Sequence, residues 1–336
     1  MKIFFKLCFF SLILPFTTAS AAVENRALSS YKIDPKAITV SGISSGAFMA
    51  VQMQVAYSKT ISGAASIAGG VFWCAKGDLN KAKAECMGQP TQASASDQVA
   101  EAQRLADTGA IDPLENLQQQ KLYLYSSPKD SVVHYSNSDK IENFYTHYMN
   151  ASDIHREKTI QSAHGFPTLS SGNPCQLGFM PWILNCNYDA AGELLKTMYG
   201  ELAPRGKFES THLLKFSQQE FGDAKTPLYK EGWVYVPADC ARGDVCKLHV
   251  ALHGCQMNPE FTQDQFERLA GYNEWAESNH IIVLYPQSAK VDQANPYACW
   301  DWYGFTGANY LTQSGSQMMA LKKMIEKISS STANKN

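Results

Sequence analysis

The motif GISSG at 42–46 is the most specific chemical pattern in the chain. It follows an apolar run at 37–44 that predicts a strand, and it opens a run at 46–57 whose apolar spacing predicts an amphipathic helix. A tight strand-to-helix turn lifts a serine hydroxyl above a sheet, and it needs flanking glycines because side chains would collide there. The motif therefore predicts that Ser44 is a nucleophile. The alternative is an ordinary glycine-rich turn in which the serine caps the helix.

A nucleophilic serine needs a histidine base and an acid that orients the base. In an α/β-hydrolase the acid follows a later strand, and the histidine follows the next one. Asp130 lies in the loop after the predicted strand 121–127, and His164 follows one more helix and a short strand. We therefore predict Asp130 and His164 as the partners of the serine. The competing pair nearby is Asp153 and His155.

Acyl transfer also needs backbone N–H groups that stabilise the oxyanion. One donor is expected from Ser45, the residue after the nucleophile. The second donor normally follows a strand that precedes the nucleophile, but no such pattern lies upstream of the motif. Instead, His253-Gly254-Cys255 follows a predicted strand at 248–252. We predict that Cys255 is the second donor and that His253 is a structural loop residue.

The elements that must position these groups are short strands alternating with helices, which predict a parallel α/β sheet covered on both faces. Because the strand of the second oxyanion donor comes late in the chain, the order is that of an α/β-hydrolase cut open before its nucleophile strand. We expect a circularly permuted α/β-hydrolase with a mostly parallel central sheet. Further strands are predicted at 156–161, 213–216, 232–237 and 281–285, and further helices at 139–149, 259–278 and 314–328.

The N-terminal segment predicts export. Two lysines precede the apolar run 7–16, and small residues at 19–21 form a signal-peptidase pattern. The run is well short of the roughly 20 residues that span a bilayer, so a membrane anchor is disfavoured. The linker-like stretch 88–98 is too short and too early to separate two domains. We expect a signal peptide at 1–21, a single catalytic domain at 22–336, and an extracellular or periplasmic protein.

Composition excludes several classes of protein. With 45% hydrophobic residues, the chain has enough apolar matter for a large core, so it is not disordered. It carries 29 basic and 31 acidic residues, which argues against a nucleic-acid partner. The absence of CxxC and HExxH patterns argues against a metal site. We expect a monomer that needs neither metal nor organic cofactor.

Cysteine number supports the predicted export. The chain has nine cysteines, and Cys8 falls in the predicted signal peptide, which leaves an even number in the mature chain. An even set in an exported protein predicts disulfides, although the sequence alone leaves several pairings open. Spacing and elimination favour the pairs Cys74–Cys86, Cys175–Cys186, Cys240–Cys246 and Cys255–Cys299.

Five motifs in this order resemble the extracellular poly(3-hydroxybutyrate) depolymerases of the circularly permuted, single-domain kind. They are GISSGAFMA around Ser44, SSPKDSVV around Asp130, AHGFPT around His164, HGCQ at 253–256 and NPYACWDWYG at 295–304. The resemblance covers nearly the whole mature chain. It implies hydrolysis of poly(3-hydroxybutyrate), or of related short-chain polyesters and oligomers, through an acyl-enzyme on the serine.

Many members of that family carry a separate polymer-binding domain. Here we expect the catalytic domain's own surface to contact insoluble polyester, and aromatic residues are the candidates. An apolar rim would hold a short acyl chain or a polymer strand, whereas packing in the core is the alternative role. The candidate substrate-binding residues are Trp300, Trp302, Tyr303, Trp182 and Phe179.

Two other functions fit parts of the same pattern. One is serine chemistry on another ester, such as feruloyl or acetyl groups on polysaccharide. The other is a non-catalytic surface-binding protein on a hydrolase scaffold. Rates on a panel of ester substrates distinguish an esterase of another ester from a polyester hydrolase. Turnover of any ester distinguishes an enzyme from a non-catalytic binding protein.

Overall fold

The computed structural model describes Met1, 26–91 and 94–330. The predicted signal peptide at 1–21 and Cys8 lie, apart from Met1, outside the described residues. The described strands are β1 Ile33–Ile43, β2 Gly63–Ile67, β3 Lys121–Tyr125, β4 Ile154–Glu157, β5 Phe166–Thr168, β6 Asn173–Pro174, β7 Ile183–Asn185, β8 Leu213–Ser217, β9 Glu231–Tyr235, β10 Cys246–Leu252 and β11 Ile281–Tyr285. The α-helices are α1 Ser45–Ala56, α2 Leu79–Lys81, α3 Ser96–Asp107, α4 Asn137–Tyr145, α5 Ala190–Tyr199, α6 Ala238–Ala241, α7 Pro259–Thr262, α8 Gln265–Leu269, α9 Tyr272–Asn279 and α10 Ser316–Ser329.

The central sheet has eight strands in the order β4-β3-β2-β1-β10-β11-β9-β8. Pairing is parallel from β4 to β11, and antiparallel only for β9 with β11 and for β8 with β9. The first strand of the chain therefore lies in the middle of the sheet, beside a strand from the C-terminal half. This is the order expected of a chain permuted before its nucleophile strand, and it confirms the predicted mainly parallel α/β fold.

Two apolar layers cover the faces of this sheet. One contains residues of α1, α3, α4 and α10, and the other contains residues of α5 and α9. Helices thus cover both faces, as the alternation of elements predicts. Parallel strands buried on both faces are continuous apolar runs, and β1 is buried from Ile38 to Ile43.

Helix α1 corrects one expectation. It was expected to be amphipathic, but every residue from Ser45 to Ala56 is buried. Its two glutamines are tolerated because their amides find partners. Gln52 Nε2 donates to the carbonyl of Asp301 at 3.0 Å, and Gln54 Nε2 donates to Gln120 Oε1 at 2.9 Å. The helix that follows the nucleophile is therefore held from all sides.

Other differences fall where the local pattern is weak. The predicted helix at 259–278 is three short helices, and Gly271, with φ of 90°, separates the last two. Helix α3 begins inside the stretch 88–98 that was interpreted as linker-like. Strand β2 and helix α5 were not predicted, and neither was a small second sheet of order β5-β7-β6. The strand β2 has the sequence GAASI, whose small residues carry little strand preference.

All four expected disulfides form. Their Cα–Cα distances are 5.9 Å for Cys74–Cys86, 4.6 Å for Cys175–Cys186, 5.9 Å for Cys240–Cys246 and 4.3 Å for Cys255–Cys299.

Within the part of the chain that the structure describes, no helix combines the length and the apolarity that a bilayer crossing requires.

A buried carboxyl group lies in the core behind β11. Glu267 in α8 is fully buried, and Gln287 Nε2 donates to its Oε1 at 2.6 Å. The backbone carbonyl of Glu267 accepts from Asn273 Nδ2 at 2.6 Å, and Asn273 Oδ1 accepts from the Tyr285 hydroxyl at 2.7 Å. Burial is the main cause that raises the pKa of Glu267 from 4.5 to about 8. The group therefore stays protonated in the folded protein at neutral pH.

This shift predicts a pH-dependent contribution to stability. The carboxyl of the unfolded chain loses its proton near pH 4.5, whereas the folded protein keeps it until about pH 8. Raising the pH through this window therefore favours unfolding. Glu267→Gln removes this titration. Between pH 5 and pH 8, the free energy of unfolding of wild type should therefore fall by roughly 3 kcal/mol more than that of the variant. Denaturant unfolding at both pH values measures this difference.

Glu115→Gln is the matched control, because Glu115 is exposed. It should change the pH dependence of unfolding very little. If wild type and Glu267→Gln lose stability in parallel between the two pH values, the carboxyl is ionised in the folded protein and the interpretation is wrong.

Candidate active site

The turn between β1 and α1 presents Ser44 in a strained backbone conformation. Ser44 has φ of 55° and ψ of −121°, in a region that residues with a side chain rarely adopt. Its N–H donates to the carbonyl of Ile67 at 2.9 Å, and its carbonyl accepts from the N–H groups of Ala47 and Phe48. These bonds anchor the turn to β2 and to the first turn of α1. The side chain of Ser44 lines a cavity at this edge of the sheet.

Close backbone contacts explain both glycines of the motif. A Cβ atom on Gly42 would lie 2.2 Å from the carbonyl oxygen of Gly46. A Cβ atom on Gly46 would lie 2.4 Å from the carbonyl oxygens of both Leu252 and His253. Backbone atoms cannot move aside as a flexible side chain can. The two glycines therefore allow the tight turn and its contact with the end of β10.

The predicted acid and base form a direct pair. His164 Nδ1 lies 2.7 Å from Asp130 Oδ2, and the two side chains are only 8% and 2% exposed. Asp130 Oδ1 accepts from the backbone N–H groups of Val132 at 2.8 Å and Val133 at 2.9 Å. A carboxylate can only accept, so Nδ1 of His164 carries the proton and Nε2 is the basic nitrogen. His164 lines the same cavity as Ser44.

The competing pair has other partners. Asp153 forms an ion pair with Lys121, and the ring of His155 stacks on Tyr123 with centroids 5.4 Å apart. His155 lies on β4, which is an edge strand of the central sheet. Neither residue lines the cavity that contains Ser44.

The two expected oxyanion donors come from separate parts of the chain that meet near Ser44. Ser45 and Cys255 both line the cavity, and a Cβ atom on Gly254 would lie 3.3 Å from the Cβ of Ser44. The disulfide from Cys255 to Cys299 holds this loop. The N–H of Gln256 also donates to the carbonyl of Tyr297 at 2.8 Å. The late position of the loop in the sequence does not prevent this contact, because β10 pairs directly with β1.

His253 is a structural residue of the same loop, as expected. It is fully buried, and burial lowers its pKa to about 4, so it is neutral at neutral pH. Its Nε2 accepts from the N–H of Ser288 at 3.1 Å, so its Nδ1 donates to the carbonyl of Gly254 at 2.7 Å. Each ring nitrogen therefore has a defined role, which orients the loop that precedes Cys255.

The cavity has a volume of about 400 Å³ and an apolar lining. Three of the five predicted substrate-binding aromatics lie in it, namely Trp182, Trp302 and Tyr303. The ring of Trp182 packs edge-on against the ring of His164 at 6.0 Å. The ring of Trp302 lies 4.5 Å from that of Phe48, an apolar cavity residue of α1.

The other two predicted aromatics lie elsewhere. Trp300 is fully buried outside the cavity lining and packs 5.4 Å from the ring of His253, so its prediction as a substrate contact is wrong. The irregular loop turns its side chain to the core, two residues before Trp302 faces the cavity. Phe179 is 52% exposed and is not among the residues that line the cavity.

Sequence reasoning missed the remaining wall of the cavity. Leu79, Lys83 and Met87 line it, and so do Val132 and Val133 beside Asp130. The first three are spaced by four residues, which is a helical signal, but the segment was not assigned an element. Further missed lining residues are Phe48, Met257, Gln293 and Tyr297.

Together these groups can perform acyl transfer. The serine can act as nucleophile, the unprotonated Nε2 of His164 as base, and Asp130 as the group that holds the histidine tautomer. The N–H groups of Ser45 and Cys255 can stabilise an oxyanion in a mostly apolar cavity, where such bonds are stronger than in water.

Comparisons with known proteins agree with this chemistry. A family profile described as Esterase PHB depolymerase matches residues 232–329. The chain is 42% identical over 314 residues to a poly(3-hydroxybutyrate) depolymerase of Delftia acidovorans, covering 91% of this chain and 62% of that protein. It is 34% identical over 327 residues to a polyhydroxybutyrate depolymerase of Talaromyces funiculosus, covering 92% and 94%. The chain thus spans only about 62% of the length of the Delftia relative.

Two solved structures are similar over almost their whole length. One is a PHB depolymerase, in a serine-to-alanine variant, complexed with an R3HB trimer, with a TM-score of 0.85 and 33% identity. The other is a PHB depolymerase from Penicillium funiculosum, with a TM-score of 0.83 and 33% identity. Each comparison covers 90% of this chain and 99% of the other chain.

Removing the disulfide between Cys255 and Cys299 should lower both the activity and the stability of the protein. Replacing both Cys255 and Cys299 by Ala should free the loop and lower kcat on a p-nitrophenyl ester by about 10-fold or more, because one oxyanion donor is worth roughly 10² in kcat. Stability should fall by roughly 2–4 kcal/mol. Initial rates of ester hydrolysis measure kcat, and denaturant unfolding measures the stability.

The matched control replaces Cys240 and Cys246, whose disulfide closes a short loop at the opposite end of β10. This variant should keep its kcat while it is folded. An unchanged kcat in the folded Cys255→Ala, Cys299→Ala variant would show that the disulfide does not position the donor.

Proposed function

The chain belongs to the poly(3-hydroxybutyrate) depolymerase family, and from this membership and its site we propose that it is a secreted serine esterase of short-chain hydroxyalkanoate polyesters and oligomers. The observation that carries the proposal is the 2.7 Å contact between His164 Nδ1 and Asp130 Oδ2. His164 lines the same apolar cavity as the strained Ser44. A buried, oriented base beside a serine on a strand-to-helix turn is the arrangement that ester hydrolysis requires.

In the acylation step, Ser44 Oγ attacks the ester carbonyl while His164 Nε2 accepts the hydroxyl proton. The negative charge on the carbonyl oxygen is stabilised by the N–H groups of Ser45 and Cys255. Asp130 keeps the histidine ring oriented and stabilises the imidazolium. When the ester bond breaks, His164 returns the proton to the leaving oxygen, and the alcohol fragment departs.

In the deacylation step, water attacks the carbonyl of the acyl-enzyme and gives a proton to His164 Nε2. The same two N–H groups stabilise the second oxyanion. The bond to Ser44 Oγ then breaks, and the proton returns to that oxygen. The products are a hydroxy acid and the regenerated serine. No cofactor takes part in these steps.

The cavity supports a short and apolar acyl chain as the substrate. Trp182, Trp302 and Phe48 supply flat aromatic contact area in the cavity of the nucleophile. Tyr303 has its hydroxyl bound to the carbonyl of Ala294 at 2.5 Å, which orients its ring at the rim. A relative of known structure is complexed with an R3HB trimer, and this supports a hydroxybutyrate chain as the occupant here.

We also propose that the loop closed by Cys175–Cys186 contacts solid polymer. Leu177, Phe179 and Met180 are 49%, 52% and 47% exposed, so this loop presents three adjacent apolar side chains to solvent. The loop lies beside the base, because a Cβ atom on Gly178 would be 3.0 Å from the carbonyl oxygen of His164. An exposed apolar patch at a cavity mouth favours contact with an apolar surface.

The remaining parts of the proposal concern the mature protein. Four disulfides support an oxidising compartment and hence secretion through the signal peptide predicted at 1–21. We propose that 22–336 is a single catalytic domain and that it acts as a monomer without a nucleic-acid partner.

Clearing of a poly(3-hydroxybutyrate) suspension by the purified mature protein tests the function. Wild type should clear the suspension and hydrolyse p-nitrophenyl butyrate, and Ser44→Ala should lower both rates by at least about 10³-fold. Hydrolysis of the small ester without clearing would replace the polyester by another ester, such as a feruloyl or acetyl group. If neither substrate is hydrolysed, the esterase function is wrong and a non-catalytic binding protein is the remaining interpretation.

The apolar loop makes a separate prediction. Replacing Leu177, Phe179 and Met180 by Ser should slow the clearing of solid polymer by about fivefold or more, since each exposed apolar side chain contributes to adsorption through its buried area. The rate on p-nitrophenyl butyrate should change by less than about twofold, because these side chains lie outside the cavity. Turbidity and ester hydrolysis measure the two rates.

The control for this variant replaces Val245 and Met319 by Ser, because both are exposed apolar residues outside this loop. Equal loss of clearing in the two variants would contradict a specific adsorption surface on the Cys175–Cys186 loop.

A further inference from the structure

We propose that Lys83 binds the free carboxylate of a hydroxyalkanoate oligomer at the mouth of the cavity, so that the enzyme prefers chains that end in a carboxylate close to the scissile ester. This inference rests on the proposed function and names a substrate class within it. It is carried by the position of one lysine among the apolar residues of this cavity wall.

Lys83 lies between two apolar residues that face the same cavity. Leu79, Lys83 and Met87 all line it, and they are spaced by four residues along α2 and the π-helix Ala82–Met87 that continues it. One side of this helical segment therefore faces the substrate. π-helical turns are rare and are frequent at functional sites.

The backbone of this segment is fixed, so the Cα atom of Lys83 has a defined position beside the cavity. The disulfide from Cys74 to Cys86 closes the segment. At its beginning, Asp78 Oδ1 accepts from the N–H groups of Asn80 at 2.7 Å and Lys81 at 3.1 Å. At its end, the carbonyl of Met87 accepts from the N–H of His134 at 2.8 Å. The segment is thus attached to the loop that contains Asp130.

The charge of Lys83 is uncompensated at this wall. Among the described residues that line the cavity, none is Asp or Glu. The ion pairs formed within 26–91 and 94–330 do not include Lys83. An ammonium beside apolar surface attracts an anion more strongly than it does in bulk water. The wall therefore offers a site for one negative charge.

The chemistry of the polyester supplies that charge. Each chain ends in a hydroxyl group at one end and a carboxylate at the other, and each hydrolysis creates a new carboxylate. When an ester near the carboxylate end is cleaved, the carboxylate belongs to the fragment that leaves as the alcohol. That fragment takes its proton from His164, whose partner Asp130 lies in the loop to which the segment of Lys83 is attached.

The test compares the trimer of 3-hydroxybutyrate as the free acid with the same trimer as its methyl ester. In wild type, kcat/KM should be higher for the free acid. Lys83→Met should lower the ratio of the two kcat/KM values by about fivefold, mainly through KM, which is the range of an exposed ion pair. Added salt should lower the ratio in wild type and leave it unchanged in the variant.

Lys81→Met is the matched control. Lys81 belongs to the same segment and is exposed, but it does not line the cavity. Its ratio should equal that of wild type. Denaturant unfolding of all three proteins should give the same stability, which excludes a folding defect.

Two results would overturn the proposal. The first is an equal ratio in wild type and Lys83→Met, with both substrates hydrolysed; this leaves the proposed esterase function intact and removes the role of Lys83. The second is the absence of hydrolysis of either trimer by wild type, in which case the proposed function and the role of Lys83 both fail.

Discussion

The active site depends on one backbone contact between distant parts of the chain. Gly46, at the start of α1, lies against the carbonyl groups at the end of β10, with no room for a Cβ atom. This contact holds the turn of Ser44 and Ser45 against the loop that leads to Cys255, and both segments line the cavity. It also supports the positive φ of Ser44, because the turn cannot relax without moving the neighbouring strand.

The permuted order of strands makes this contact a long-range one. Strands β1 and β10 are far apart in sequence but adjacent and parallel in the sheet. The candidate nucleophile, acid and base all lie in the N-terminal half, and Cys255, the second candidate oxyanion donor, lies in the C-terminal half. The proposed site is therefore complete only when β1 and β10 have paired. The disulfide from Cys255 to Cys299 then fixes the loop that completes it.

Much of the site could be predicted from the sequence, because Ser44, Asp130 and His164 follow strands and so meet at one sheet edge. The cavity walls could not be predicted as well, since they come from irregular segments. Trp300 and Trp302 are two residues apart, yet one packs in the core and the other faces the cavity. Lys83 was missed because its helical face is short and lies within a disulfide loop. Strand β2 was missed because small residues carry little strand signal, and only pairing with β1 and β3 forms it.

Part of the cavity lining comes from segments that are closed covalently. Lining residues lie within the segments bounded by Cys74–Cys86, Cys175–Cys186 and Cys255–Cys299, whereas the sheet supplies the reacting groups. Substitutions inside these loops can change size, charge and polarity at the rim while the ends of each loop remain in place. Selection on substrate range can therefore act on the rim almost independently of selection on the catalytic machinery, which separates the evolution of specificity from that of reactivity.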